Sequence, residues 1–125
     1  LLVPDPVVTD LNALAGAARS QFLDDMGALG DVLLQVTGAA RINYEILGNS
    51  ESALHAHLFP RYESEPEATR RAPVWLHDWE RAPRFEREAQ AGFIASVATA
   101  LEVRGRVIPS VAYSATGPRS EEKRG

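Results

Sequence analysis

The chain has 125 residues, enough for one compact domain and too few for two ordinary ones. Hydrophobic residues make up 45% and charged residues 24%, a globular balance, and 13 Lys and Arg against 17 Asp and Glu give a net charge of −4, which argues against broad nucleic-acid binding while leaving room for a local phosphate pocket. The absence of cysteine excludes a disulfide scaffold, a thiolate metal site and a Cys nucleophile, and no apolar run approaches the roughly 20 residues that span a bilayer.

Residues 1–3 read as the end of a buried strand, which Pro4-Asp5-Pro6 stops because proline has no N–H for a ladder. A strand met at the first residue, without an initiator Met, predicts that earlier strands precede this segment. A loop runs through Asn12. Residues 16–37 carry a helical period: Phe22, Met26, Leu29, Leu33 and Val36 form one apolar stripe. Gly38 fits the left-handed position that ends a helix, and Gly30 weakens the interior enough to allow a bend.

Residues 40–47 alternate, with Ile42, Tyr44 and Ile46 on a core face and Asn43 and Glu45 on the other. Gly48 to Ser52 is turn chemistry. Residues 53–59 form a second strand, ended by Pro60. Leu54, Ala56 and Leu58 share one of its faces, and Ala53, His55, His57 and Phe59 the other. A helix followed by such a hairpin predicts an α+β domain, an antiparallel sheet with the long helix packed on its apolar face. Residues 61–71 read as a polar loop, and residues 73–79 carry both tryptophans in a segment suited to packing over a core edge or an interface. A second helix is expected over 86–103, with Ile94, Val97, Ala98 and Leu101 buried. The domain is therefore placed at 1–104 and a flexible tail at 105–125, with short strand candidates at 107–108 and 111–113.

The chemistry concentrates in three histidines, His55, His57 and His77. At about 3.3 Å per residue, His55 and His57 stand roughly 6.6 Å apart on one strand face. If Leu47 pairs with Ala53, Asn43 lies opposite His57 and Glu45 opposite His55. Three readings compete. A neutral imidazole is a good nucleophile toward phosphorus at pH 7. Two histidines could also hold a metal, with Asp78, His77 or Glu45 as a third ligand. Two polar residues on a solvated sheet face are the bland alternative, and from the spacing alone it leads. His77-Asp78 reads best as a hydrogen-bonded structural pair. Arg61 serves equally as a phosphate contact or a strand-end charge.

The run Asn43 … Gly48-Asn49-Ser50 … His55-Ala56-His57-Leu58-Phe59-Pro60-Arg61 resembles the histidine triad superfamily of nucleotide hydrolases and transferases. That family carries His-φ-His-φ-His-φ-φ, often followed by Pro-Arg and preceded by an Asn and a polar Gly-containing turn. Anchored on Pro60-Arg61, the resemblance puts His57 at the third histidine, His55 at the central one and Ala53 in place of the first. It covers about residues 1–61. It implies that His55 attacks the α-phosphorus of a nucleotide derivative to form a nucleotidyl-histidine, that His57 hydrogen-bonds the phosphate or leaving group, and that Asn43, Asn49, Ser50 and Arg61 contact the substrate. It also implies a cytoplasmic protein with no cofactor, no obligatory metal, no nucleic-acid or membrane partner, and a homodimeric assembly. A non-catalytic nucleotide-binding module is the main rival, because Ala53 removes a family histidine. A small His-ligated metalloprotein is the third.

Overall fold

The structure, a computed structural model, describes residues 1–106. The strand candidates at 107–108 and 111–113 lie outside them.

Helix α1 spans Gly16–Thr37 and coincides with the expected helix. Its stripe faces the core: Phe22 and Leu33 are buried, and Met26 and Leu29 pack against the same cluster. It ends where Gly38 takes φ 66° and donates its N–H to the Leu34 carbonyl. Thr37 Oγ1 donates to the Leu33 carbonyl at 2.6 Å, so the last turn is tied down by its own side chain.

Gly30 has a different role from the expected bend. A Cβ there would stand 1.9 Å from the Tyr44 hydroxyl, so the missing side chain is the space that tyrosine occupies. Tyr44, expected in the core, lies across the helix instead and is 43% exposed.

Strand β1, Arg41–Glu45, pairs antiparallel with β2, His57–Arg61. Glu45 stands opposite His57, Asn43 opposite Phe59 and Arg41 opposite Arg61. The expected pairing of Asn43 with His57 is therefore two residues out. A slip of two leaves every side chain on its face, so the assignment of faces survives: Leu54, Ala56 and Leu58 are buried, joined by Ile42 and Ile46 at the cluster's edge.

The second strand has a further partner on its other edge. Residues 54–56 do not pair with β1. Ala56 exchanges both backbone hydrogen bonds with Leu2, each at 2.9 Å, and Leu54 donates its N–H to the Val8 carbonyl at 2.8 Å. These bonds lie on the edge of the strand opposite β1, so the N-terminal stretch and β1 flank it on its two sides. The N-terminal stretch contributes this bridge at Leu2, while Leu1 and Val3 are exposed rather than buried. Pro60 does not end the strand but lies within it, opposite Ile42. N–H groups alternate sides along a strand, so its missing donor is on the side of the Leu2 bridge, away from β1.

The polar loop after β2 contains a short helix α2, Glu67–Arg70, and α3, Arg87–Val103, packs on α1. Val97 reaches the core cluster, but no residue of α3 is fully buried and Ile94 is 46% exposed, so its apolar side is only half covered. Arg106, expected in the tail, is tied to α1 through Asp24 and Asp25. Among the described residues no helix is long and apolar enough to cross a membrane.

The Gly30–Tyr44 contact makes a prediction. Alanine in place of a mid-helix glycine stabilises by about 1 kcal/mol where space allows. Gly30→Ala is expected to show that gain in a Tyr44→Ala background and to lose most of it beside the native tyrosine. Denaturant midpoints of the four proteins check this; equal effects in both backgrounds would contradict the packing.

Candidate functional site

The sheet has one face on α1. The other carries His55, His57, Phe59 and Arg61 in sequence, with Asn43 and Glu45 beside them on β1. His55 sits between the two residues clamped by the N-terminal stretch, Leu54 and Ala56, and both of these neighbours are buried. Its backbone is therefore fixed on either side.

The His55 ring is fixed as well. Its Nδ1 lies 2.7 Å from the Ala53 carbonyl oxygen. A carbonyl only accepts, so Nδ1 carries the proton, and in the neutral ring Nε2 carries the lone pair. The arrangement selects the tautomer with a nucleophilic Nε2.

His57 stands edge-on to His55 with ring centroids 4.9 Å apart, and stacks on Phe59 at 5.5 Å with an 11° interplanar angle. Burial pushes its pKa below the ordinary histidine value; neighbouring His55 pushes it further down, while Glu45 pulls the other way. At pH 7 His57 is neutral.

Trp75 closes this row. It meets His57 edge-on at 5.2 Å and Phe59 at 5.5 Å, and its indole N–H donates to the Glu45 carboxylate. Its place beside the histidines is not visible in the sequence, because it comes from a separate segment. The one available signal was the aromatic composition of residues 73–79, which marks a docked segment but not what it docks on.

Arg61 is not free to bind substrate, contrary to the expectation that it contacts phosphate. It is 6% exposed, and all of its N–H groups are committed. Nε donates to Glu65 at 3.0 Å, Nη1 to Asn43 Oδ1 at 2.6 Å and the Ala72 carbonyl at 2.9 Å, and Nη2 to Glu65 at 2.8 Å and the Thr69 and Arg70 carbonyls at 3.2 Å. These hydrogen bonds hold the Glu65 carboxyl at about 2. Asn43 is bound into the same network, on the histidine face but at its far end. Arg61 thus organises the path of the loop that leads to Trp75.

Asn49 and Ser50 lie exposed on the connection between β1 and β2, and their side chains make no hydrogen bond among the described residues. That connection covers residues 46–56, longer than the expected five-residue turn, and the N-terminal stretch bonds its last residues at Leu54 and Ala56. His77 does not pair with Asp78: its Nε2 is 3.8 Å from Glu65, while Asp78 accepts from the Glu80 and Arg81 N–H groups at 3.2 and 3.4 Å. Among the described residues no group of three or more His, Asp or Glu is gathered to hold a metal ion. A groove of about 760 Å³ runs along β1 beside Arg70 and Arg71, and neither His55 nor His57 lines it.

No family model and no curated protein matches the chain. Solved structures do. A histidine triad protein from Sinorhizobium meliloti 1021 superposes with a TM-score of 0.65 at 26% identity, over 75% of this chain and 67% of that one. A histidine triad protein from Marinobacter aquaeolei VT8 gives 0.62 at 26% identity, over 77% and 67%. The chain belongs to the histidine triad superfamily. The match extends past the residues of the sequence motif, since three quarters of this histidine triad chain is covered, and it accords with the α+β architecture of a helix on a small antiparallel sheet.

The Arg61–Glu65 pair makes a prediction for stability. Glu65→Ala leaves a buried guanidinium unpaired and is expected to cost about 3–5 kcal/mol. The folded Glu65 pKa is depressed, so its stabilisation is complete above the ordinary carboxylate value and is lost as pH falls from there toward about 2. Unfolding free energies between pH 6 and 2 are expected to fall more steeply in the native protein than in Glu65→Gln. Parallel curves would contradict this.

Proposed function

We propose that this protein hydrolyses or transfers at the α-phosphate of a nucleotide derivative, such as a dinucleoside polyphosphate or a nucleoside phosphoramidate, through a nucleotidyl-histidine formed on His55. The observation that carries this reading is the 2.7 Å contact of His55 Nδ1 with the Ala53 carbonyl, which leaves Nε2 as the nucleophilic atom.

In the first step the Nε2 lone pair attacks the α-phosphorus. An N–P bond forms as the bond from phosphorus to the leaving group breaks, and the leaving group departs with that electron pair and takes a proton from water. The ring is cationic in the intermediate, and its Nδ1–H still donates to Ala53, whose carbonyl dipole is oriented to stabilise the charge. Water then attacks phosphorus, the N–P bond breaks, its electrons return to Nε2, and the nucleoside monophosphate leaves while the water's proton passes to solvent. Another acceptor in place of water makes the reaction a transfer.

His57, neutral at pH 7, supports the site by donating one N–H to a phosphate oxygen. Arg61 stays in its structural network and takes no part in this step. Ala53 has no side-chain proton to give, so the leaving groups that suit this site are those, like polyphosphates, that depart without strong acid assistance. Asn49 and Ser50 remain phosphate contacts in this proposal, reached from the exposed connection when ligand is bound.

The test is intact-protein mass spectrometry after brief mixing with an adenylyl phosphoramidate and an acid quench. An added adenylyl mass is expected on the native protein and not on His55→Ala, with His57→Ala reduced rather than silent. An adduct of unchanged yield in His55→Ala would remove the nucleophile assignment.

A further inference from the structure

Trp75 and Trp79 are the chain's two tryptophans, and both are half exposed, at 42% and 49%. Trp75 is held on two sides. Its ring stands perpendicular to those of His57 and Phe59, at 86° and 89°, and its N–H is anchored on Glu45. Trp79 lies against Trp75 at 5.6 Å with a tilt of 31°. Indole rings carry a large apolar surface that ordinarily goes into a core. Here two of them stand partly in solvent, one fixed by a carboxylate, directly beside the imidazole pair.

We propose that Trp75 and Trp79 form a stacking shelf for the planar heteroaromatic base of a phosphorylated ligand whose phosphate sits at His55 and His57. This rests on the proposed function and names the part of the substrate that this end of the site recognises. The order of groups carries it. The phosphate-facing imidazoles come first, Trp75 touches His57, and Trp79 is one ring contact further out. A nucleotide has the same order, phosphate then base. Stacking on an aromatic side chain tolerates any base, because every base has a π face. Glu45 acts as a positioning residue: it holds the Trp75 ring in plane and does not touch the base.

Because the shelf contains every tryptophan of the chain, tryptophan fluorescence, excited beyond the tyrosine absorption band, reports on it alone. Titration of the full chain with adenosine monophosphate is expected to quench that fluorescence to saturation, and ribose 5-phosphate, which lacks the base, is not. By calorimetry Trp79→Ala is expected to weaken adenosine monophosphate binding about tenfold or more while leaving ribose 5-phosphate unchanged. Glu45→Ala should move the same way by a smaller factor. If Trp75→Leu fails to fold, Trp79→Ala carries the test, since its one aromatic contact among the described residues is Trp75.

Equal affinity of the native and Trp79→Ala proteins for adenosine monophosphate would overturn the shelf, as would no base-dependent binding by either method, or a change of oligomeric state in Trp79→Ala with unchanged nucleotide affinity. The two proposals fail separately. A His55 adduct whose yield ignores the base leaves the chemistry and removes the shelf. Base-dependent quenching without any adduct leaves the shelf and removes the chemistry.

Discussion

The backbone hydrogen bonds that join Ala56 to Leu2 and Leu54 to Val8 are the constraint on which the site depends. They hold residues 54–56 from the edge of the strand opposite β1. They also bury Leu54 and Ala56 on the α1 side, which sends His55 to the opposite face with its flanking backbone held in place. The turn from Ala53 to His55 then lets the imidazole reach back to a carbonyl two residues earlier. A flexible backbone would leave the tautomer of that ring to solvent; here the protein chooses it.

The second organiser is Arg61. Its three carbonyl contacts, at Thr69, Arg70 and Ala72, satisfy backbone groups of a loop that has only one short helix of its own. Glu65 neutralises the guanidinium, and together they lead the chain back over the sheet to Trp75. A buried ion pair of this kind adds less net stability than its geometry suggests, because both charges lose their water. Its effect is on the course of the loop, and so on which aromatic ring stands beside His57. The two ends of the histidine face are thus built by different means, backbone pairing at His55 and a side-chain hub at Arg61.

Much of this was legible in the sequence where a period runs long enough. The stripe from Phe22 to Val36 placed α1, Gly38 placed its end, and alternation placed Leu54, Ala56, Leu58, Ile42 and Ile46 on the core side. The register was not legible. A slip of two leaves every side chain on its face, so alternation alone cannot fix it. The sequence leaves Arg61 as either a phosphate contact or a strand-end charge, because its partners, Glu65 and three carbonyls, come from a segment whose composition says only loop. Tyr44 and Gly30 were misread for a related reason: each looks ordinary alone, and only their contact explains both. The histidine pair was legible as chemistry, but its spacing does not reveal which nitrogen faces a carbonyl.

That nitrogen is the point to test directly. Long-range proton–nitrogen correlation spectra of the native protein near pH 7.5, with His55 assigned by its loss in His55→Ala, report which ring nitrogen bears the proton. The account predicts a protonated Nδ1 and an unprotonated Nε2 at His55. A proton on Nε2, or an even mixture of the two tautomers, would contradict it, because the atom assigned to attack phosphorus would then have no lone pair held in place.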